Sequence, residues 1–202
     1  MTTRSPDAET ERRIALVADL RAMPELAPRR LVGTAIVFNT MSEDLGGFRE
    51  VIAPSAIERT LHEKLDVRAL VEHDPGRVLG RLTAGTLRLY RTKTALRAEI
   101  DVPETSFGDD TLESVTRGDV SGMSFAFRLA APPSWDMVDD TPVRTIHDMR
   151  VREISVVAFP AFTATDVSVA QRSLADWQAS GAPPPWRPSR AWRARRLRLA
   201  AG

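Results

Sequence analysis

The chain contains no cysteine. That excludes disulfides, cysteine-ligated zinc and a thiol nucleophile. It has only three histidines, His62, His73 and His147, set far apart, which argues against a histidine-rich metal site. Its formal net charge is +1, so no single sign of charge marks the whole chain for nucleic acid. No apolar run approaches the length needed to span a bilayer. Met1 to Arg13 is polar and charged with no apolar stretch behind it, so no secretory signal is expected and an intracellular site of action is the default. There is no Gly-x-Ser-x-Gly elbow, no Gly-rich phosphate loop and no internal repeat. Few catalytic schemes remain, and a serine with a histidine base is the most direct of them.

With 202 residues and a hydrophobic fraction of 43%, the chain can form one domain with a real core plus tails. Residues 1–29 read as a helical or flexible tail. Good helix formers run from Asp7 to Arg21, with Ile14, Val17 and Leu20 on one side, and Pro24 and Pro28 end the run. The body is expected over residues 30–170. Strands are predicted at 31–38, 48–52, 66–71, 77–82, 86–90, 96–102 and 121–129, with one or two more over 143–159. Helices are predicted at 54–61, opened by Pro54, and at 105–117, capped by Thr105 or Ser106. The fold class is therefore α+β and mostly β. Residues 171–202 read as a Pro-rich linker and a basic tail: Trp186 to Leu199 holds six arginines and two tryptophans and no acidic residue. The plain reading of that tail is a disordered segment. The sharper one is a docking arm for an acidic partner, with weak nucleic-acid binding the lesser expectation.

Three places carry chemistry. His73 follows the apolar run Ala69-Leu70-Val71 and precedes Asp74-Pro75-Gly76, where a strand meets a tight turn. An imidazole there is both anchored and accessible, as a general base must be. Ser124 lies in Gly122-Met123-Ser124-Phe125-Ala126-Phe127. Alternation puts Met123, Phe125 and Phe127 on the core face and leaves Ser124 and Ala126 on the other, where they can line a groove. Ser121, on the preceding turn, is the local rival nucleophile. Glu153 opens the apolar run Ile154 to Phe159, a costly place for a carboxylate without a partner. A histidine would satisfy it, and so would a neighbouring arginine. His147 competes as the third member. It shares strand parity with Glu153 but lies six residues away, roughly 20 Å at strand rise, so one strand cannot bring both to His73. Asp74 would point away from its neighbour His73 in an extended chain.

Taken in order, these segments resemble the prohead maturation proteases of tailed bacteriophages. The opening strand is Gly33 to Asn39. Phe48-Arg49-Glu50-Val51-Ile52-Ala53-Pro54-Ser55-Ala56-Ile57 is similar to that family's Glu-x-Ile-x-Pro-Gly-Ala-Phe block, with Ser55 in place of glycine. Val71-Glu72-His73-Asp74, then Val78-Leu79-Gly80, resembles its histidine block. Gly118 to Phe127 resembles its nucleophile block and Glu153 to Phe162 its closing block. The resemblance spans about Leu31 to Val169.

This resemblance implies a serine endopeptidase with Ser124 as nucleophile and His73 as base, and needs no metal or organic cofactor. The closing block favours Glu153 as third member. Related herpesvirus assembly proteases use a second histidine, which keeps His147 as the alternative. It also implies a small closed or partly open β-barrel flanked by helices, as in those proteases. The implied substrates are the major capsid protein or its scaffold segment, and the chain itself, cut inside the immature capsid in the host bacterial cytoplasm. Self-association is left open and no membrane partner is implied. The rival reading is a catalytically inactive capsid- or tube-assembly protein of the same fold. A small-ester hydrolase would want a deep apolar pocket instead of a groove.

Overall fold

The structure is a computed structural model that describes residues 10–15, 17–63, 65–158 and 168–181. Twelve strands and three α-helices make up the described part, so the mostly-β, α+β expectation holds. A five-stranded sheet carries β1 (Glu11–Ile14), β9 (Gly122–Leu129), β12 (Met149–Val157), β5 (Arg68–Val71) and β6 (Asp74–Arg81), hydrogen-bonded in that order. A four-stranded sheet has the order β2 (Arg21–Met23), β3 (Arg30–Val37), β8 (Ala95–Asp101), β7 (Leu87–Arg91). A three-stranded sheet has the order β10 (Ser134–Val138), β11 (Thr141–Ile146), β4 (Arg49–Ile52). Among the described residues none of the three closes on itself, so a closed barrel, the first form of the expected closed or partly open barrel, is not seen. Strand pairing is antiparallel except at β12/β5 and β11/β4.

The main core lies where the five- and four-stranded sheets face each other. Met123, Phe125 and Phe127 of β9 and Ile154 and Val156 of β12 meet Leu31 and Ile36 of β3 and Ile100 of β8. Burying each such side chain contributes about 1.5–3 kcal/mol. Gly33 marks the closest approach, for a Cβ there would sit 2.7 Å from the Met123 sulfur. Helix α2 (Ser106–Arg117) adds Leu112 and Val115 to this core. It starts at Thr105, whose side chain accepts the Gly108 N–H, and ends at Gly118 in the left-handed region. A smaller cluster docks α3 (Ser168–Ala179) on the three-stranded sheet. There Trp135 stacks on Trp177 at 5.9 Å between ring centroids, and its indole N–H donates to Ser173.

Two expectations need correction. The segment read as an N-terminal helix forms strands: β1 pairs antiparallel with β9, and β2 pairs with β3. The cause is tertiary. Glu11 and Arg13 point inward at 1% and 4% exposure and find ionic partners on other strands, a drive that propensity and apolar periodicity do not register. Strands β1 and β2, placed in a tail, are thus built into the sheets of the body. At the other end, the region given to a linker opens with the last two turns of α3, and the basic segment 186–199 lies outside the described residues. Among the described residues no helix is long and apolar enough to cross a membrane.

Candidate active site

The site lies on the face of the five-stranded sheet turned away from the main core. Ser124 of β9 stands directly opposite Ser155 of β12, and Ala126 opposite Glu153. The four side chains therefore share one face. With the aromatic residues of β9 committed to the core, this face is paved with small groups.

A β-bulge sets that arrangement. Val151 pairs with Phe127 and Glu153 with Ala126, so Arg152 is an extra residue in β12. Val151 and Ile154 both belong to the core although they are three residues apart, an odd spacing that regular alternation forbids. The bulge turns Glu153 out of the core onto the face of Ser124. Parity counted through this strand, as between residues 147 and 153, therefore fails at Arg152.

His73 arrives from the β5–β6 turn. Val71 pairs with Asp74, which leaves Glu72 and His73 as a two-residue loop. Both are left-handed, at φ 50° and 59°, as a type I′ hairpin turn demands. Neither is the Gly or Asn that such a turn favours, and each costs about 1–2 kcal/mol in that region. A strained turn at a histidine is a reason to look for function there. The turn carries the imidazole back over β12, where its Nδ1 lies 2.6 Å from Glu153 Oε1. Glu153 is a carboxylate at 12% side-chain exposure, and its other oxygen accepts the Ser155 hydroxyl at 2.6 Å. Arg12 of β1 stands 3.9 Å from the same carboxylate. An ionised Glu153 accepting at Nδ1 fixes the tautomer with the proton on Nδ1 and the lone pair on Nε2. Among the described residues Nε2 makes no hydrogen bond.

Ser124 is 3% exposed, and its hydroxyl donates to the carbonyl of Arg13 at 2.9 Å. Ser121 is exposed on the loop ahead of β9. His147 lies beyond the other end of β12, where its Nε2 is 2.8 Å from the Ser134 hydroxyl and its carbonyl accepts from Ser55. The structure thus brings His73, Glu153 and the Ser124 strand to one face and leaves His147 apart. Sequence reasoning missed Ser155. The available signal was its place two residues after Glu153, on the same face of a strand. It also missed the Arg13 carbonyl, because residues 7–21 read as helix.

No curated protein matches the chain in sequence. Among solved structures, the bacteriophage T4 capsid assembly protease gp21 aligns with a TM-score of 0.49 at 10% identity, covering 74% of this chain and 98% of that one. A family model described as the caudovirus prohead serine protease matches residues 19–180.

Proposed function

Because the chain belongs to the caudovirus prohead serine protease family, we propose that it is the endopeptidase that trims the major capsid protein or its scaffold segment, and itself, inside the immature capsid, with Ser124 as nucleophile and His73 as base. The observation that carries this reading is the contact of His73 Nδ1 with Glu153 on the face that Ser124 occupies. It leaves the basic Nε2 for the serine proton. In the reaction the Ser124 hydroxyl turns from the Arg13 carbonyl to Nε2. Its Oγ forms a bond to the peptide carbonyl carbon as His73 takes the proton. Collapse of the tetrahedral intermediate breaks the C–N bond, and His73 returns that proton to the departing amine. Water, activated by the same imidazole, then releases the acyl group. Glu153 holds the ring and balances the imidazolium. Ser155 holds Glu153.

The test is co-expression with the neighbouring major capsid protein, wild type against Ser124→Ala, read by intact mass. Trimming by the wild type alone is expected. Trimming by both would move the nucleophile, to Ser121 first. A second reading, an inactive capsid- or tube-assembly protein, is favoured by one observation: the Ser124 hydroxyl is engaged with Arg13. Shells that assemble untrimmed with the wild type present would support it.

Ser155→Ala is expected to slow cleavage about tenfold. A hydrogen bond to a charged group is worth about 1.5–3 kcal/mol, and a tenfold rate change corresponds to about 1.4 kcal/mol. The comparison is the rate of capsid-protein trimming at equal enzyme level. An unchanged rate would show that Glu153 needs no support from Ser155.

A further inference from the structure

The exposed residue beside the base has an unusual set of contacts. Glu72 precedes His73 in the two-residue turn. Its backbone N–H donates to the Val156 carbonyl at 2.9 Å. Its carboxylate Oε1 accepts the Ala158 N–H at 2.5 Å. Both contacts reach β12 or the residue just after it, the strand that carries Glu153. Apart from these two contacts, the turn is tied to β12 by the bond between His73 and Glu153, and the hairpin behind it is irregular. Beyond the Val71–Asp74 pair, β6 slips: the next partner of β5 is Val78, against Leu70, so Pro75, Gly76 and Arg77 bulge out of the ladder. On the side facing α2 the hairpin borders an open groove of about 490 Å³, lined by Val71, Glu72 and Arg77 on one wall and Phe107 and Asp110 on the other. No packed core presses the turn into place from there. The residues of the turn are both in a strained backbone region, and left alone it would relax away from the geometry that brings His73 to Glu153.

We propose that Glu72 is a positioning residue for His73: by accepting the Ala158 N–H, its side chain pins the strained turn to the end of β12 and keeps the imidazole in register with Glu153. The proposal rests on His73 acting as the base. The function of Glu72 is that of an acceptor, so its charge is dispensable and its length is not. Glutamine can replace it. Asparagine suits the left-handed turn better but is one methylene too short to reach Ala158.

The test uses the full-length protein and a fluorophosphonate probe: Ser124 Oγ forms a bond to phosphorus, the P–F bond breaks and fluoride leaves to solvent, while the serine proton passes to His73. Intact mass at a series of probe concentrations separates the maximal labelling rate from the probe's binding constant. Glu72→Ala and Glu72→Asn are expected to lower the maximal rate by about ten- to a hundredfold with little change in binding, as a displaced catalytic group does. Glu72→Gln is expected to stay within about twofold of the wild type. A second readout needs no chemistry at Ser124: the Nδ1 proton of His73, seen by proton NMR at low field in its bond to Glu153. It should be lost in Glu72→Ala and return in Glu72→Gln. Wild-type labelling and an intact Nδ1 signal in Glu72→Ala would overturn the proposal, as would a glutamine variant that behaves like alanine. A wild type that resists the probe while the Nδ1 signal still follows Glu72 would sink the assignment of Ser124 and leave the clamp standing.

Discussion

Replacing His73 by alanine is expected to abolish capsid-protein cleavage, with a fall of about 10⁴-fold or more, because a nucleophile and its base fail together. An isolated serine hydroxyl keeps its proton at neutral pH, so an adjacent base must take it. Among the described residues, the imidazole of His73 offers an unbonded ring nitrogen on the face of Ser124, because Glu153 occupies the other nitrogen at 2.6 Å. His62 pairs with Glu58 on the surface helix α1 (Glu58–His62). His147 is bonded to Ser134 beyond the far end of β12. His147→Ala is therefore expected to cleave within about twofold of the wild type, since mutations away from a site's machinery leave its geometry intact. The measurement is the trimmed fraction of capsid protein against time. Equal losses in the two variants would return His147 to the site and displace Glu153. His73→Gln is expected to fail as fully as alanine. An amide can fill the space and donate an N–H to Glu153, yet it has no lone pair basic enough to hold the serine proton.

Much of this was legible in the residues, and the reasons differ by element. The alternation of Leu96 to Val102 and of Met123 to Phe127 fixes which side of β8 and β9 is core, because the apolar side is buried against a second sheet. The helix at α2 declared itself through Thr105 and Gly118, whose roles are local. The N-terminal strand was not legible. Its inward side chains are Glu11 and Arg13, and only residues far along the chain make that burial tolerable. The aim of Glu153 was not legible either, since a bulge at Arg152 breaks the count on which any parity argument rests. The left-handed turn at Glu72-His73 lacks the glycine or asparagine that signals one; its support comes from Val156 of β12 and from Ala158 just beyond that strand. Strand β10 hides behind Pro132-Pro133, which reads as a break, and its one buried residue, Trp135, faces the small cluster under α3. Local chemistry was readable, whereas features set by long-range partners were not.

Arg144→Met is expected to destabilise the protein by about 3–5 kcal/mol, a large share of the roughly 5–15 kcal/mol typical of a domain. Arg144 is fully buried on β11. Its guanidinium reaches both oxygens of Glu11 at 2.6 and 2.9 Å and Glu50 at 2.9 Å. Arg13 closes the ring, bonded to Glu11 at 2.8 Å and Glu50 at 2.9 Å. Two cations and two carboxylates cancel in a buried site. Methionine fills the volume but leaves two buried carboxylates facing one guanidinium. Replacing all four residues by apolar ones of similar size is expected to cost little or nothing, since burying the ions already carries a desolvation penalty. Denaturant midpoints with unchanged slope measure both. The acid limb separates them further. Burial alone would raise the Glu11 pKa, but hydrogen bonding and charge from Arg144, then Arg13, outweigh it and hold the pKa below its ordinary value. A carboxylate depressed in the folded state stabilises above its unfolded pKa, and that contribution is lost as pH falls through the folded one. Wild type should therefore lose stability in acid more steeply than the apolar quadruple variant. The ring also reaches the site. Glu11 and Arg13 tie β1 to β4 and β11, and β1 pairs directly with β9, with Ile14 opposite Ser124, so β1 helps place the strand of the nucleophile. Loosening β1 by Arg144→Met should slow probe labelling of Ser124 even at temperatures where the variant is still folded. Labelling at the wild-type rate in folded Arg144→Met would show that β1 serves the stability of the sheet and has no part in placing the nucleophile.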